Sequence, residues 1–140
     1  MISYPAKIIW SKHDKCYIVE FPDLAGCLTY GNSVDAASEN AREALTGYLE
    51  SIDLRKLSIP IPSKISGKNI FQISPEKQAG FALWLKIKRA EKNLTQKEAA
   101  KLLSINFQSY QKFENPKKSN PTLKTILKIE KAFNEQILVV

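Results

Sequence analysis

The sequence contains one histidine, two cysteines and five glycines in 140 residues, and this scarcity excludes several kinds of site. It has no Cys/His group at the spacing of zinc ligands and no glycine-rich loop of the kind that cradles phosphate. The only histidine, His13, lies in a polar stretch typical of a solvated turn. We therefore find no catalytic set, metal centre or cofactor motif, and we expect the chain not to be an enzyme.

Long apolar runs are also missing. No segment approaches the roughly 20 apolar residues of a membrane-spanning helix. The N-terminus lacks the basic region and apolar core of a secretory signal, so we expect a cytoplasmic protein that does not associate with a membrane. In that compartment Cys16 and Cys27 are expected to be reduced packing residues, with a disulfide between them as the alternative.

The positive charge is unevenly distributed along the chain. Residues 1–74 carry 8 Lys/Arg and 8 Asp/Glu, whereas residues 75–140 carry 13 basic and 6 acidic side chains. The formal net charge of +7 therefore lies entirely in the C-terminal part. A basic field confined to one part of a chain is typical of a segment that binds a polyanion, joined to a neutral module with another role.

The N-terminal part has the pattern of a small sheet with one helix. β-Branched and aromatic residues predict a hairpin and two further strands, at residues 6–10, 16–21, 27–31 and 69–73. Ser33 is the expected N-cap of a helix, whose apolar residues recur at helical spacing as far as Ile52. Pro60 and Pro62 exclude a helix after it and predict an extended segment.

The C-terminal part has the pattern of four helices. Pro75 suits the first helical position after an N-cap at Ser74. Glu98 stands three residues after Thr95, which predicts a capping box for the second helix. We place the domain boundary after Ser74, giving domains 1–74 and 75–140, and we expect an α+β fold with a short C-terminal strand. The remaining helix starts are expected at Asn106 and at Pro121-Thr122.

The segment 94–115 carries a recognisable pattern. Its residues Leu-Thr-Gln-Lys-Glu-Ala-Ala-Lys-Leu-Leu-Ser-Ile-Asn, and its ending Phe-Glu-Asn, resemble the helix-turn-helix of the phage-repressor family (Cro/C1 or XRE type). In such folds the second helix enters the major groove. One departure is Ser104, where that family often has Gly. The resemblance implies DNA-binding roles for Gln96, Phe107, Gln108, Ser109, Gln111, Lys112, Asn115, Lys117 and Lys118.

The chemistry of these side chains suits their implied roles. The amide of Gln108 can pair with adenine, Lys112 can donate to guanine, and Phe107 can pack on a thymine methyl. The resemblance also implies an ion pair between Arg89 and Glu114. Backbone phosphates would be bound by Gln96, Lys117 and Lys118.

Two features of this half leave alternatives open. Lys97, Lys101 and Lys124 are equally consistent with DNA contact and with a solvated face. The apolar tail, residues 137–140, would either pair as a strand with a second copy or pack back on its own helices. Because one small module buries little surface, we expect a homodimer or higher oligomer that reads two half-sites.

The N-terminal half resembles the HicB antitoxins. The resemblance rests on the turn Phe-Pro-Asp-Leu-Ala-Gly-Cys at 21–27, on Gly31, and on the Ala-rich helix that follows Ser33. Ala25 stands where this turn often carries Pro. Together with the helix-turn-helix, the resemblance spans nearly the whole chain.

Membership of that family would imply a specific fold and function. The expected fold is a degraded RNase H-like domain, a three- or four-stranded sheet with one helix, without the catalytic acids of an active enzyme. Its expected partner is a HicA-type toxin, an mRNA endoribonuclease, and the helix-turn-helix would bind operator double-stranded DNA and repress the operon. Toxin-facing candidates are the turn residues Asp23, Leu24 and Gly26 and the helix residues Glu39, Arg42, Glu43 and Glu50.

Two other functions compete with this one. The chain could be a transcriptional regulator whose N-terminal domain senses a small molecule. It could also be an active nuclease, which needs convergent acids that hold a divalent metal. Asp14, Glu20 and Asp23 lie close in sequence, but a solvated turn and a strand exit explain them with fewer assumptions.

Overall fold

Residues 2–138 are described by the computed structural model. They form strands β1 (Tyr4–Ser11), β2 (Cys16–Glu20), β3 (Leu28–Gly31) and β4 (Ile70–Ile73), with helix α1 (Val34–Leu54) before β4. Four more helices follow: α2 (Lys77–Glu91), α3 (Gln96–Leu102), α4 (Phe107–Phe113) and α5 (Leu123–Phe133). The predicted α+β class, with a sheet and helix followed by a helical part, is confirmed.

The four strands form one antiparallel sheet in the order β3-β2-β1-β4. Side chains alternate between its faces, because successive residues of a strand point to opposite sides. Ile8 lies opposite Val19, and both are buried. Ile9 lies opposite Ile18 on the other face, where Ile9 is 39% exposed. One face is therefore the core and the other is presented to solvent.

Helix α1 covers the core face of the sheet. It begins at the expected N-cap, since the Ser33 hydroxyl accepts from the amide of Ala36. The helix approaches β3 closely at Gly31, where an added Cβ would lie 2.4 Å from the amide nitrogen of Ala37. Its buried side chains recur every three or four residues, as a one-sided helix requires: Ala37, Ala41, Leu45, Leu49 and Ile52.

The proline-containing segment after α1 is extended, as predicted, and is held to the sheet by two side chains. The Tyr4 hydroxyl donates to the carbonyl of Pro60 at 2.6 Å. The Asp23 carboxylate accepts from both the amide and the hydroxyl of Ser63, at 2.9 and 3.1 Å. These contacts fix the path of the chain between α1 and β4.

The chain divides into two compact units, Ile2–Lys77 and a second that starts at Gln78. This division lies slightly beyond the boundary expected after Ser74. The predicted N-cap at Ser74 is wrong, because α2 begins only at Lys77. The amide of Glu76, which an N-cap at Ser74 would bind, instead donates to the Thr46 hydroxyl within the first unit.

The second unit is helical, and its apolar tail does not continue as a strand through residues 135–138. The amides of Ile137 and Leu138 donate to the Glu130 carboxylate at 2.7 and 2.9 Å, so they have a partner other than a strand. The end of the expected strand, Val139 and Val140, lies outside the described residues. No helix within residues 2–138 is long and apolar enough to cross a membrane.

Candidate functional site

Helices α3 and α4 form a helix-turn-helix with a cap at each start. Thr95 and Glu98 form the capping box of α3, as predicted, and the side chain of Asn106 accepts from the amide of Ser109 at the start of α4. Between them Ser104 adopts φ 56°, in the left-handed region that favours glycine. This conformation explains physically why glycine suits that turn position.

A buried carboxylate, Glu114, binds side chains from α2, α3 and α4. Glu114 is 3% exposed and follows directly on α4. It accepts from Arg89 Nε at 2.6 Å and Nη2 at 3.1 Å, and from Gln96 Nε2 at 3.1 Å. The hydroxyl of Tyr110 donates to Oε2 of Glu114, the same oxygen that accepts from Arg89 Nε. One side chain therefore fixes α4 against α2 and α3.

The charges in this cluster stabilise one another. The hydrogen bond to Glu114 raises the pKa of Arg89. Burial, followed by the hydrogen bond to Glu114, raises the pKa of Tyr110. Arg89 Nη1 also donates to the carbonyl of Leu94 at 2.7 Å, just before α3. The bidentate pair and the additional donors satisfy the hydrogen-bonding capacity of the Glu114 carboxylate. Without them, burying this charge would lower the stability of the fold.

The residues assigned to DNA binding fall into two groups by exposure. Ser109 and Phe107 are half-buried, as is Asn115, whose side-chain oxygen accepts from the amide of Lys117 at 2.9 Å and so shapes the turn after α4. Gln96 is half-buried with its amide group directed to Glu114. The exposed residues are Gln108, Gln111, Lys112, Lys117 and Lys118.

Gln96 is held more firmly than its implied role requires. Its Nε2 donates to Glu114, and its Oε1 accepts from Gln111 at 3.4 Å. The side chain thus belongs to the buried cluster in the free chain, and its contact with a phosphate stays a prediction. The sequence does not display this contact, because both partners lie in or directly after α4, 15 and 18 positions away.

Lys97, for which the sequence allows either DNA contact or a solvated face, has a defined position in the structure. Its ammonium lies 5.6 Å from the ring centroid of Phe107, the first residue of α4. Lys97 is exposed, and Phe107 is half-buried. The cation therefore lies over the ring of the residue that directly precedes the exposed Gln108.

The toxin-facing candidates in the turn have structural partners. Leu24 is 1% exposed, so its side chain packs in the core and is not presented on the surface. Asp23 is bonded to Ser63. Gly26 adopts φ 83°, and the Tyr48 hydroxyl donates to the carbonyl of Ala25. This turn is therefore braced from two sides.

The helical candidates lie on the outer side of α1. Glu39, Arg42 and Glu43 are exposed, and Glu50 is half-buried. The structure adds a surface that the sequence did not single out: the face of the sheet opposite α1. Ile9, Ile18 and Tyr30 lie side by side across three strands there, and Tyr30 is 64% exposed. Alternation along each strand is the sequence signal that could have indicated it.

Cys16 and Cys27 are free and buried, as expected. Burial raises the pKa of the Cys27 thiol to about 11. Within residues 2–138, no three His, Cys, Asp or Glu side chains are grouped so that they could hold a metal ion.

Comparison with known proteins gives a family assignment. A family model described as HicB-like antitoxin of bacterial toxin–antitoxin system matches residues 4–107. The chain belongs to this HicB-like antitoxin family. A helix-turn-helix family model matches residues 85–139 and includes the motif described above. The predicted family and helix-turn-helix are both confirmed, and the chain is an antitoxin-type, DNA-binding regulator.

Individual relatives are more distant. A UPF0150 protein of Thermoplasma acidophilum is 38% identical over 53 residues, which cover 38% of this chain and 77% of that protein. The N-terminal domain of the Burkholderia pseudomallei antitoxin HicB is 22% identical, with a TM-score of 0.44, over 54% of this chain and 99% of that one. A toxin–antitoxin complex from Streptococcus pneumoniae is 16% identical, with a TM-score of 0.45, over 71% and 94%.

Proposed function

We propose that this chain neutralises a HicA-type mRNA endoribonuclease through its first unit and represses its own operon through its second. In this proposal the chain has no enzymatic activity and works in the cytoplasm. Family membership supports the toxin as partner. The helix-turn-helix, with the net charge of +7 on residues 75–140, supports operator DNA as the second partner.

The observation that carries the DNA-binding proposal is the fixed orientation of α4. Glu114 ties it to α2 and α3, while Gln108 and Lys112 stay exposed on it. A rigid helix with free polar side chains can read base edges without first ordering itself. We assign Gln108 to adenine, Lys112 to guanine and Phe107 to a thymine methyl.

The remaining assigned residues would fix the position of the protein on the duplex. Lys117 and Lys118 follow α4, where their charges would meet backbone phosphates. Ser109, Gln111 and Asn115 would flank the base contacts, and Gln96 would reach a phosphate near the start of α3. We propose a homodimer, which would place two copies of α4 in successive major grooves about 34 Å apart.

In this proposal the toxin binds the exposed face of α1. Glu39 and Glu43 are exposed one helical turn apart, with Arg42 beside them. An RNA-cleaving partner needs basic side chains to hold its substrate, so acids on the antitoxin favour its capture. Glu50, Asp23 and Gly26 remain secondary candidates.

Operator titrations test the DNA-binding proposal. Gln108→Ala should weaken binding to the promoter duplex by about 1–3 kcal/mol and relax base preference at one position. Lys118→Ala should weaken binding to every duplex alike and reduce the salt slope by about 0.9. An unchanged titration after Gln108→Ala would refute the assigned recognition helix.

Co-expression with the product of the adjacent gene tests the toxin proposal. The wild-type chain should copurify with it and stop RNA cleavage, and the double change Glu39→Lys with Glu43→Lys should release the activity. Glu91→Lys, an exposed charge change in the second unit, is the matched control and should not. A chain that binds DNA but no neighbouring product would favour the small-molecule-sensing regulator instead.

A further inference from the structure

We propose that Lys97 and Phe107 act together as one DNA contact. The Phe107 ring packs on a thymine methyl and at the same time holds the Lys97 ammonium against the neighbouring backbone phosphate. This inference rests on the proposed DNA binding and adds a residue and a coupling to it.

The geometry joins two side chains from different helices. The Lys97 ammonium lies 5.6 Å from the centroid of the Phe107 ring, within the range of a cation–π interaction. Phe107 is the first residue of α4 and precedes the exposed Gln108 directly. Lys97 is therefore held beside the base-reading surface, although it belongs to α3.

The local electrostatics of α3 do not explain a lysine at this position. Lys97 lies in the first turn, where the helix dipole disfavours a positive charge. It forms no ion pair within residues 2–138. The adjacent Glu98 is used by the capping box, because its carboxylate accepts from the amide of Thr95 at 3.0 Å. An exposed cation without an acidic partner, fixed by a ring, is free to meet a phosphate.

The ring has two separate tasks in this arrangement. An aromatic face attracts a cation through its quadrupole, which an aliphatic side chain cannot do. Its apolar edge can contact the C5 methyl group of thymine in the major groove. Phe107→Leu should keep the apolar contact and lose the hold on Lys97, whereas Phe107→Tyr should keep both.

A double-mutant cycle on the full chain tests the coupling, with its own promoter duplex as the probe. Lys97→Met keeps the aliphatic stem and removes the charge, so the salt slope should fall by about 0.9. The factor by which Lys97→Met weakens binding should be roughly 3.5 times larger at 50 mM than at 200 mM salt, because a slope change of about 0.9 is multiplied over a fourfold range of salt concentration. In the Phe107→Leu background, the factor by which Lys97→Met weakens duplex binding should be roughly 2- to 5-fold smaller.

Matched variants exclude simpler explanations. Lys101→Met removes an exposed charge one turn further along α3, and its cost should be the same with or without Phe107→Leu. Replacing each promoter thymine by deoxyuridine should reveal one position whose methyl contributes to affinity. That effect should persist in Phe107→Leu and disappear in Phe107→Ala. Thermal unfolding of each variant separates a binding loss from a folding loss.

The outcomes distinguish this inference from the proposed function. Equal costs of Lys97→Met in the Phe107 and Phe107→Leu backgrounds, or an unchanged salt slope, would overturn the composite contact while Gln108→Ala still weakened binding. Loss of all promoter binding by the wild-type chain would instead overturn the DNA-binding proposal itself.

Discussion

Replacing Glu114 by Gln should destabilise the second unit strongly, although the two side chains have nearly the same shape. Glu114 is 3% exposed and accepts from both Nε and Nη2 of Arg89, from Gln96 and from Tyr110. A glutamine there would turn an NH₂ group toward some of these donors and leave the Arg89 charge without its counter-ion. Removing one partner of a buried pair typically costs about 3–5 kcal/mol.

The expected loss lies near the lower end of that range. The Arg89 side chain is 17% exposed, so part of its charge can regain water when the carboxylate is lost. We expect a decrease of about 3 kcal/mol in the free energy of unfolding. For a domain of this size such a loss lowers Tm by roughly 12–24 °C.

Urea and thermal unfolding, followed by circular dichroism, measure this effect. Glu91→Gln is the control, because Glu91 is exposed, pairs with the half-buried Lys88 at 3.3 Å and should contribute less than about 1 kcal/mol. In the Arg89→Met background Glu114→Gln should cost at least about 1 kcal/mol less, since the two groups interact directly. A Glu114→Gln loss no larger than that of Glu91→Gln would refute the reasoning.

Four further tests address other parts of the fold. Ser104→Gly should raise the free energy of unfolding by about 1 kcal/mol in urea titrations, because Ser104 has φ 56°. Gly31→Ala should lower it by about 3 kcal/mol, since the added Cβ would lie 2.4 Å from a backbone nitrogen. Gly47→Ala, in the middle of α1 with nothing within 4 Å, should raise it by about 0.5–1 kcal/mol. Alkaline pH should destabilise the first unit: the pKa values of Cys27 and Tyr4 are raised by burial to about 11 and about 12, so ionisation favours the unfolded chain. Urea midpoints should therefore fall as pH rises above 9, the ordinary pKa of the thiol, and Cys27→Ala should reduce that slope.

Local signals predicted most of the elements. The starts of α1, α3 and α4 follow from a single polar side chain at each N-cap, which accepts from the amide three residues further on. Such signals fail where a distant group competes. The predicted cap at Ser74 does not form, and the amide of Glu76 that it would bind donates to Thr46 instead.

The candidate site needed contacts that a sequence does not display. Gln96 was expected at the surface, but its amide is bonded to Glu114, 18 positions away. The sequence predicts Leu24 as a toxin contact together with Asp23 and Gly26, yet its side chain is 1% exposed and packs in the core. Residue type and spacing predicted the chemistry of these positions. The partner that each of these side chains contacts depends on how helices and strands distant in sequence pack together.

The buried cluster and the proposed DNA contact both use the amide of Gln96. The bond to Glu114 uses one of the two N–H groups of the amide and fixes its plane, so only the second N–H is left for a phosphate. If Gln96 binds DNA through the second N–H, Gln96→Ala should lower both the stability and the operator affinity. If it serves only Glu114, operator affinity should be unchanged at a temperature where the variant is folded, with only Tm reduced. Measuring both quantities on this one variant therefore decides whether Gln96 contacts the DNA backbone or serves only the buried cluster.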